Sequence, residues 1–111
     1  MIEKRTVVDQ IEITRRGHIQ IRFGLLLVEN GVEISCRWHR TVIEPGGSVE
    51  AMVAAVDAGL AAMNAARIDR ADPPTIKSVC QLVHTPDMVE KHRAAVREAQ
   101  SQLVPSVERA P

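Results

Sequence analysis

Of the side chains in this 111-residue chain, four histidines and two cysteines have the widest chemical repertoire. His39 stands two residues after Arg37. If the surrounding residues form antiparallel strands, Arg22 falls opposite His39, with Gln20 close by. His18, Arg22, Arg37 and His39 would then share one sheet face as a small anion- or carboxylate-binding patch. Such groups recognise anions through short, charge-assisted hydrogen bonds. The solvated face of a two-layer domain routinely carries the same residue types. No nucleophile, base and orienting group can be assembled from them, so no catalytic residue is assigned and the chain is read as a non-enzyme.

The other two histidines, His84 and His92, are eight residues apart and separated by the Thr85-Pro86 break. A zinc site needs three or four convergent ligands, and neither HExxH nor a Cys/His cluster is present. No metal and no cofactor is therefore expected. His84 reads more simply as the end of a helix, where a protonated imidazole is favourably placed. Cys36 and Cys80 have no CxxC spacing and sit at apolar positions, as reduced core residues do. Pro45-Gly46-Gly47-Ser48 lacks the lysine of a phosphate-binding loop, and there is no GxGxxG. Stacking on single-stranded nucleic acid needs several aromatics. This chain has one Phe and one Trp, Phe23 and Trp38, both expected to be buried.

The elements that position these residues follow from hydrophobic period. From about residue 7 to residue 43 apolar residues alternate with polar ones, as in strands with one buried face. Asn30-Gly31 is a two-residue hairpin signal that sets Glu29 opposite Val32. Continued without interruption, that register pairs Leu27 with Ile34, Leu25 with Cys36 and Phe23 with Trp38. A three-residue loop, Arg15-Arg16-Gly17, keeps Ile13 opposite Ile19 and gives Gly17 the left-handed position. Two charges, Asp9 and Arg40, fall on the apolar face. A strand that starts after Asp9 and a bulge near His39 would resolve both; a meeting of the two charges at the sheet edge is the other solution.

Beyond Pro45-Gly46-Gly47, Ser48 stands as N-cap to a helix over 49–66, with Val49, Met52, Val53, Val56, Leu60 and Met63 on one stripe. Residues 67–74 read as a polar connector. A short helix over 76–84 turns Ile76, Val79, Cys80 and Val83 inward. A last helix over 86–103 begins Thr85-Pro86-Asp87, a cap, a first-turn proline and an acid. Its apolar residues, Val89, Val96 and Leu103, recur every seven residues, a seam too thin for a core helix; such a solvent-exposed helix either packs loosely or meets a partner chain. The expected fold is α+β: a three-stranded antiparallel meander followed by three helices in two layers. It forms one domain over 1–104, with a disordered tail over 105–111.

The 14 basic and 14 acidic residues balance to a formal net charge of zero. That disfavours nucleic acid as a partner and favours self-association. Leu26 and Val28 make one end of the second strand apolar on both sides, a corner that the last helix or another subunit should cover. With a subunit preferred, Leu26, Val28, Val89, Val96 and Leu103 are candidate interface residues of a homo-oligomer, a dimer in the simplest case. No segment reads as a signal peptide or membrane span, so a cytoplasmic location, or one on a virion, is expected.

Two stretches carry a resemblance. One is the hairpin Ile19-Gln20-Ile21-Arg22 through Glu29-Asn30-Gly31-Val32-Glu33-Ile34-Ser35 to Trp38-His39-Arg40, followed by Pro45-Gly46. The other is Val79-Cys80-Gln81-Leu82-Val83-His84-Thr85-Pro86. Together, over roughly residues 7–95, they resemble small uncharacterised proteins of tailed bacteriophages and prophages. The resemblance implies a phage- or prophage-associated role, in or near the virion tail or as an accessory. It supplies no catalytic residues.

Overall fold

The computed structural model describes the backbone of residues 1–108 and the side chains of residues 1–102. The side chains of residues 103–111 and the backbone of residues 109–111 lie outside the described residues, and with them the expectation for Leu103. The last helix runs to Glu108, past its expected end at residue 103, so of the expected tail over 105–111 only residues 109–111 lie outside. Strands β1 (Ile2–Ile13), β2 (Ile19–Glu29) and β3 (Val32–Ile43) form an antiparallel meander in the order β1-β2-β3. Helices α1 (Val49–Ala62), α2 (Asp72–Val83) and α3 (Pro86–Glu108) follow. This is the expected α+β architecture, with β1 starting at Ile2 rather than near Val7.

Both turns form as their residues dictate. Gly17 is left-handed at φ 85° and Ile13 faces Ile19 across the first hairpin. Asn30 and Gly31, at φ 51° and 82°, close the second with Glu29 opposite Val32. One step further the expected register fails. Val28 pairs with Glu33, but Leu27 pairs with Ser35, so Ile34 is an extra, bulged residue. Every later partner in β3 moves by one. Phe23 faces His39, Leu25 faces Arg37, and Trp38 lies opposite Gly24. Phe23 and Trp38 are therefore on opposite faces, and Trp38 is 50% exposed. The bulge turns Arg40 outward, as expected, from a position nearer the hairpin than His39. It also seats Ile43 in the core opposite Ile19. A second irregularity, between Val8 and Gln10, puts Asp9 beside Arg22 on the outer face.

The helices cover one face only. Ile19, Ile21 and Phe23 of β2 pack with Val49, Met52, Val56 and Leu60 of α1 and with Ile76 and Cys80 of α2. Each such side chain contributes about 1.5–3 kcal/mol by leaving water. Ser48 caps α1 as expected, its Oγ accepting from the Ala51 N–H at 3.1 Å. The helix stops at Ala62, short of residue 66, because Asn64 adopts a left-handed φ of 58° and the Ala65 N–H donates back to the Leu60 carbonyl at 2.8 Å. Met63 is left exposed rather than in the stripe. Helix α2 starts at Asp72, ahead of Thr75, because Pro73 and Pro74 occupy a first turn where missing N–H groups cost nothing.

The connector expected to be polar does packing work. Ile68 is buried and bridges Thr6 in parallel, beside the outer edge of β1. The Asp69 N–H donates to the Thr6 carbonyl at 2.8 Å, and the Thr6 hydroxyl to the Ala66 carbonyl at 2.7 Å. An edge covered in this way is not offered to another strand.

The observed register orders the core by face. Phe23→Ala should cost about 3–5 kcal/mol of folding stability and Leu60→Ala about 2–5 kcal/mol. Trp38→Ala should cost under ~2 kcal/mol, since half its surface is already in water. Urea unfolding of the three variants at low protein concentration checks this; equal losses at positions 23 and 38 would contradict the register.

Candidate functional site

Among the described residues, no helix lies over the outer face of the sheet. At its centre Gly24 leaves a hollow: a Cβ there would sit 3.4 Å from Leu26 Cδ2 and 3.6 Å from Trp38 Cζ3. Trp38 lies across this hollow, and the Arg22 guanidinium stacks 4.3 Å above its ring. Arg22 Nε also donates to Asp9 Oδ2 at 2.9 Å. A cation over an indole adds about 0.5–1 kcal/mol at an exposed site, and a partly exposed ion pair about 0.2–1 kcal/mol. These contacts fix Trp38 in place more than they stabilise the fold. A shallow groove of about 570 Å³ continues along the face, lined by Gln10, Glu12, Gln20, Arg22, Arg40 and Val42.

The expected anion patch is not assembled. Arg22 lies on the outer face, already engaged by Asp9 and Trp38. Arg37 lies opposite Leu25 on the helix side, and His39, half-buried, opposite Phe23 on that same side. His18 stands at the far end of the sheet. The bulge at Ile34 is the cause: an unbulged strand would have put His39 beside Arg22. Cys36 is also displaced, from the core to the outer face beside Leu26. Loss of hydration raises its thiol pKa, and the Glu33 and Asp9 carboxylates raise it further. Cys80 is in the core as expected, and burial pushes its thiol up.

The candidate interface residues divide. Val28 is buried within its own chain, so the corner it was expected to leave bare stays half-open only at Leu26. Val89 is half-buried and rests near Gly46. Beyond it, every described α3 residue from Arg93 to Gln102 is exposed, Val96 at 42%. Among the described residues, the outward half of α3 makes its ion pair within the helix itself, Arg97–Glu90 at 3.0 Å.

At the root of α3 the fold gathers three groups that sequence reasoning did not connect. His18, Glu44 and His92 offer one ligand atom each, all within 4.8 Å of one another. His92 Nε2 is 3.4 Å from Glu44 Oε2, and the two imidazole rings meet edge-on, centroids 5.2 Å apart. His18 ends the first turn and Glu44 follows β3. They become neighbours because Ile19 faces Ile43. An unbulged register would set His18 beside Ile43 instead, so the available signal was the hairpin pattern read with the bulge in place. His84 Nε2, across the same turn, donates to the Gly17 carbonyl at 2.8 Å.

No family model, curated protein or solved structure matches this chain. Among the described residues, no helix is long and apolar enough to cross a membrane.

Because Arg22 and Arg37 occupy opposite faces, the stability losses of Arg22→Ala and Arg37→Ala should add within about 0.5 kcal/mol in the double variant. Inorganic phosphate should stabilise wild type and double variant equally. A larger coupling, or a phosphate effect that disappears in the double variant, would reinstate the shared anion site.

Proposed function

We propose that this chain is a non-enzymatic structural or interaction protein that works as a homo-oligomer, a dimer in the simplest case, using the open face of its sheet and the outward half of α3. The observation that carries this reading is the direction of the apolar row in β3. Alternation in a strand normally turns its apolar residues to its own helices. Here Cys36, Trp38 and Val42 point to the uncovered face, Trp38 and Val42 about half exposed at 50% and 48%. Arg40 interrupts that row, and the side chains facing the helices are Ser35, Arg37, His39 and Thr41, with Ile43 the one buried apolar residue at the end of the strand. A row with that spacing is explained if a second surface covers it.

A second copy fits that surface better than an acidic or basic partner does. The chain carries no net charge, so two copies do not repel at long range. The face holds both signs, Arg22 and Arg40 with Asp9 and Glu12, which a two-fold axis can set against each other. Trp38 on its glycine seat is the type of fixed aromatic that dominates interface energetics. Size argues that the sheet does not act alone. Three strands of this length present roughly 40 by 14 Å in plan, about 550 Å², below the ~800 Å² per partner of a standard interface. Helix α3, about 34 Å long, can supply the rest through Val96 and its neighbours. The resemblance to tailed-phage proteins suggests the setting, a virion tail region or a phage accessory, where self-assembling small domains are needed.

Light scattering across a dilution series tests the reading. The full chain should hold a dimeric mass at micromolar concentration. Trp38→Arg, with its fold checked by circular dichroism, should shift it at least tenfold toward monomer, and a chain ending at Thr85 should do the same. A full chain that is monomeric at every concentration would contradict it.

A further inference from the structure

We propose that His18, Glu44 and His92 form a binding site for a divalent transition-metal ion, Zn²⁺ by the chemistry of its donors, and that the ion pins α3 to the end of the sheet. The inference is independent of how the chain assembles.

The donor set selects the ion class. Two imidazole nitrogens and one carboxylate oxygen suit Zn²⁺ and its first-row neighbours, whereas Ca²⁺ and Mg²⁺ take oxygen donors. Three protein ligands leave a fourth tetrahedral position for water. One imidazole-to-carboxylate separation is already 3.4 Å. Donors about 2.0–2.1 Å from a shared tetrahedral ion lie roughly 3.4 Å apart. The three atoms, now within 4.8 Å, need close by only about an ångström or so. Glu44, with 63% of its side chain exposed, has room to make that movement, and His92, at 17%, is the fixed member.

The backbone around the ligands is set in advance. The His18 N–H donates to Thr14 Oγ1 at 3.1 Å, and its carbonyl accepts from the Thr14 N–H at 2.9 Å. The Glu44 carbonyl accepts from the Gly47 N–H at 2.7 Å, closing the turn after β3. The first turn of α3 is capped by Thr85, whose Oγ1 accepts from the Met88 N–H at 3.2 Å. An ion pair between His92 and Glu44 would account for those two residues but not for His18, whose ring is turned edge-on against His92. A shared ion accounts for all three. It would join segments that are far apart in the chain, the first turn, the end of β3 and the start of α3, and so fix the direction in which the helix leaves the sheet.

The full chain, stripped of metal with EDTA, is titrated with ZnCl₂ by calorimetry and with CoCl₂ by visible absorption. One Zn²⁺ per chain and a tetrahedral Co²⁺ band are expected. Substituting outer partners of a metal site already costs 10–100-fold in affinity, so His18→Gln and His92→Gln, checked by circular dichroism, should each lose at least about tenfold. Equal Zn²⁺ affinity in wild type and in the His18→Gln/His92→Gln double variant would overturn the proposal and leave an ion pair beside a packed ring. Ring ¹⁵N signals of the wild-type histidines give a test that needs no variant. Zn²⁺ should move those of His18 and His92 together and leave that of His39 in place; a shift at His39 alone, or at none, would also overturn it.

Discussion

A single extra residue in β3, Ile34, decides where every side chain beyond it points. Side chains alternate across a strand, so a shift of one residue moves a whole row from one face to the other. From Ser35 to Ile43 the strand is displaced in this way. The displacement separates Phe23 from Trp38, sends Arg37 and His39 to the helix side, and brings the apolar row of β3 to the open face. At the far end it makes His18 and Glu44 neighbours. The core tolerates the change because it is built on β2. Ile19, Ile21 and Phe23 meet α1 and α2 whichever row β3 contributes, and β3 itself adds only Ile43 at full burial.

One-sided packing has a second consequence. The Cα radius of gyration is 18.1 Å, and the molecule extends 62 by 37 by 20 Å. A compact chain of this length would have a radius near 13 Å. The excess comes from α3, attached at its first turns through Met88, Val89 and His92 and exposed from Arg93 to Gln102. An isolated helical segment of ten or so residues is marginal in water. Its persistence depends on the continuity of α3 with the anchored turns, on its alanines, and on the Arg97–Glu90 pair at 3.0 Å, which ties it to them. The root is therefore where order in the outer half is controlled.

Much of the fold was legible in the residues. The Asn30-Gly31 hairpin, the left-handed Gly17, the Ser48 cap and the stripe from Val49 to Leu60 follow from local chemistry, and the structure keeps them. Most of what escaped was non-local. Nothing within β3 marks Ile34 as extra, because Ile, Cys and Trp alternate equally well on either face; only Arg40 signalled that one row was wrong, and it did not say where the bulge lay. Ile68 looked like part of a polar linker because its value comes from the edge of β1, some sixty residues earlier. The end of α1 was signalled by Asn64, whose tolerance of a left-handed backbone outweighed the run of alanines. The His18–Glu44–His92 grouping depended on the register, and an error of one residue was enough to hide it.

The most direct test is the β2–β3 pairing itself, measured by cross-strand NOEs on isotopically labelled protein. Backbone contacts are expected between Phe23 and His39 and between Leu25 and Arg37, with Trp38 opposite Gly24. Contacts between Phe23 and Trp38 and between Leu25 and Cys36 would mean an unbulged strand. The apolar row of β3 would then face the helices, and both the open-face interface and the gathering of His18 with Glu44 would lose their basis.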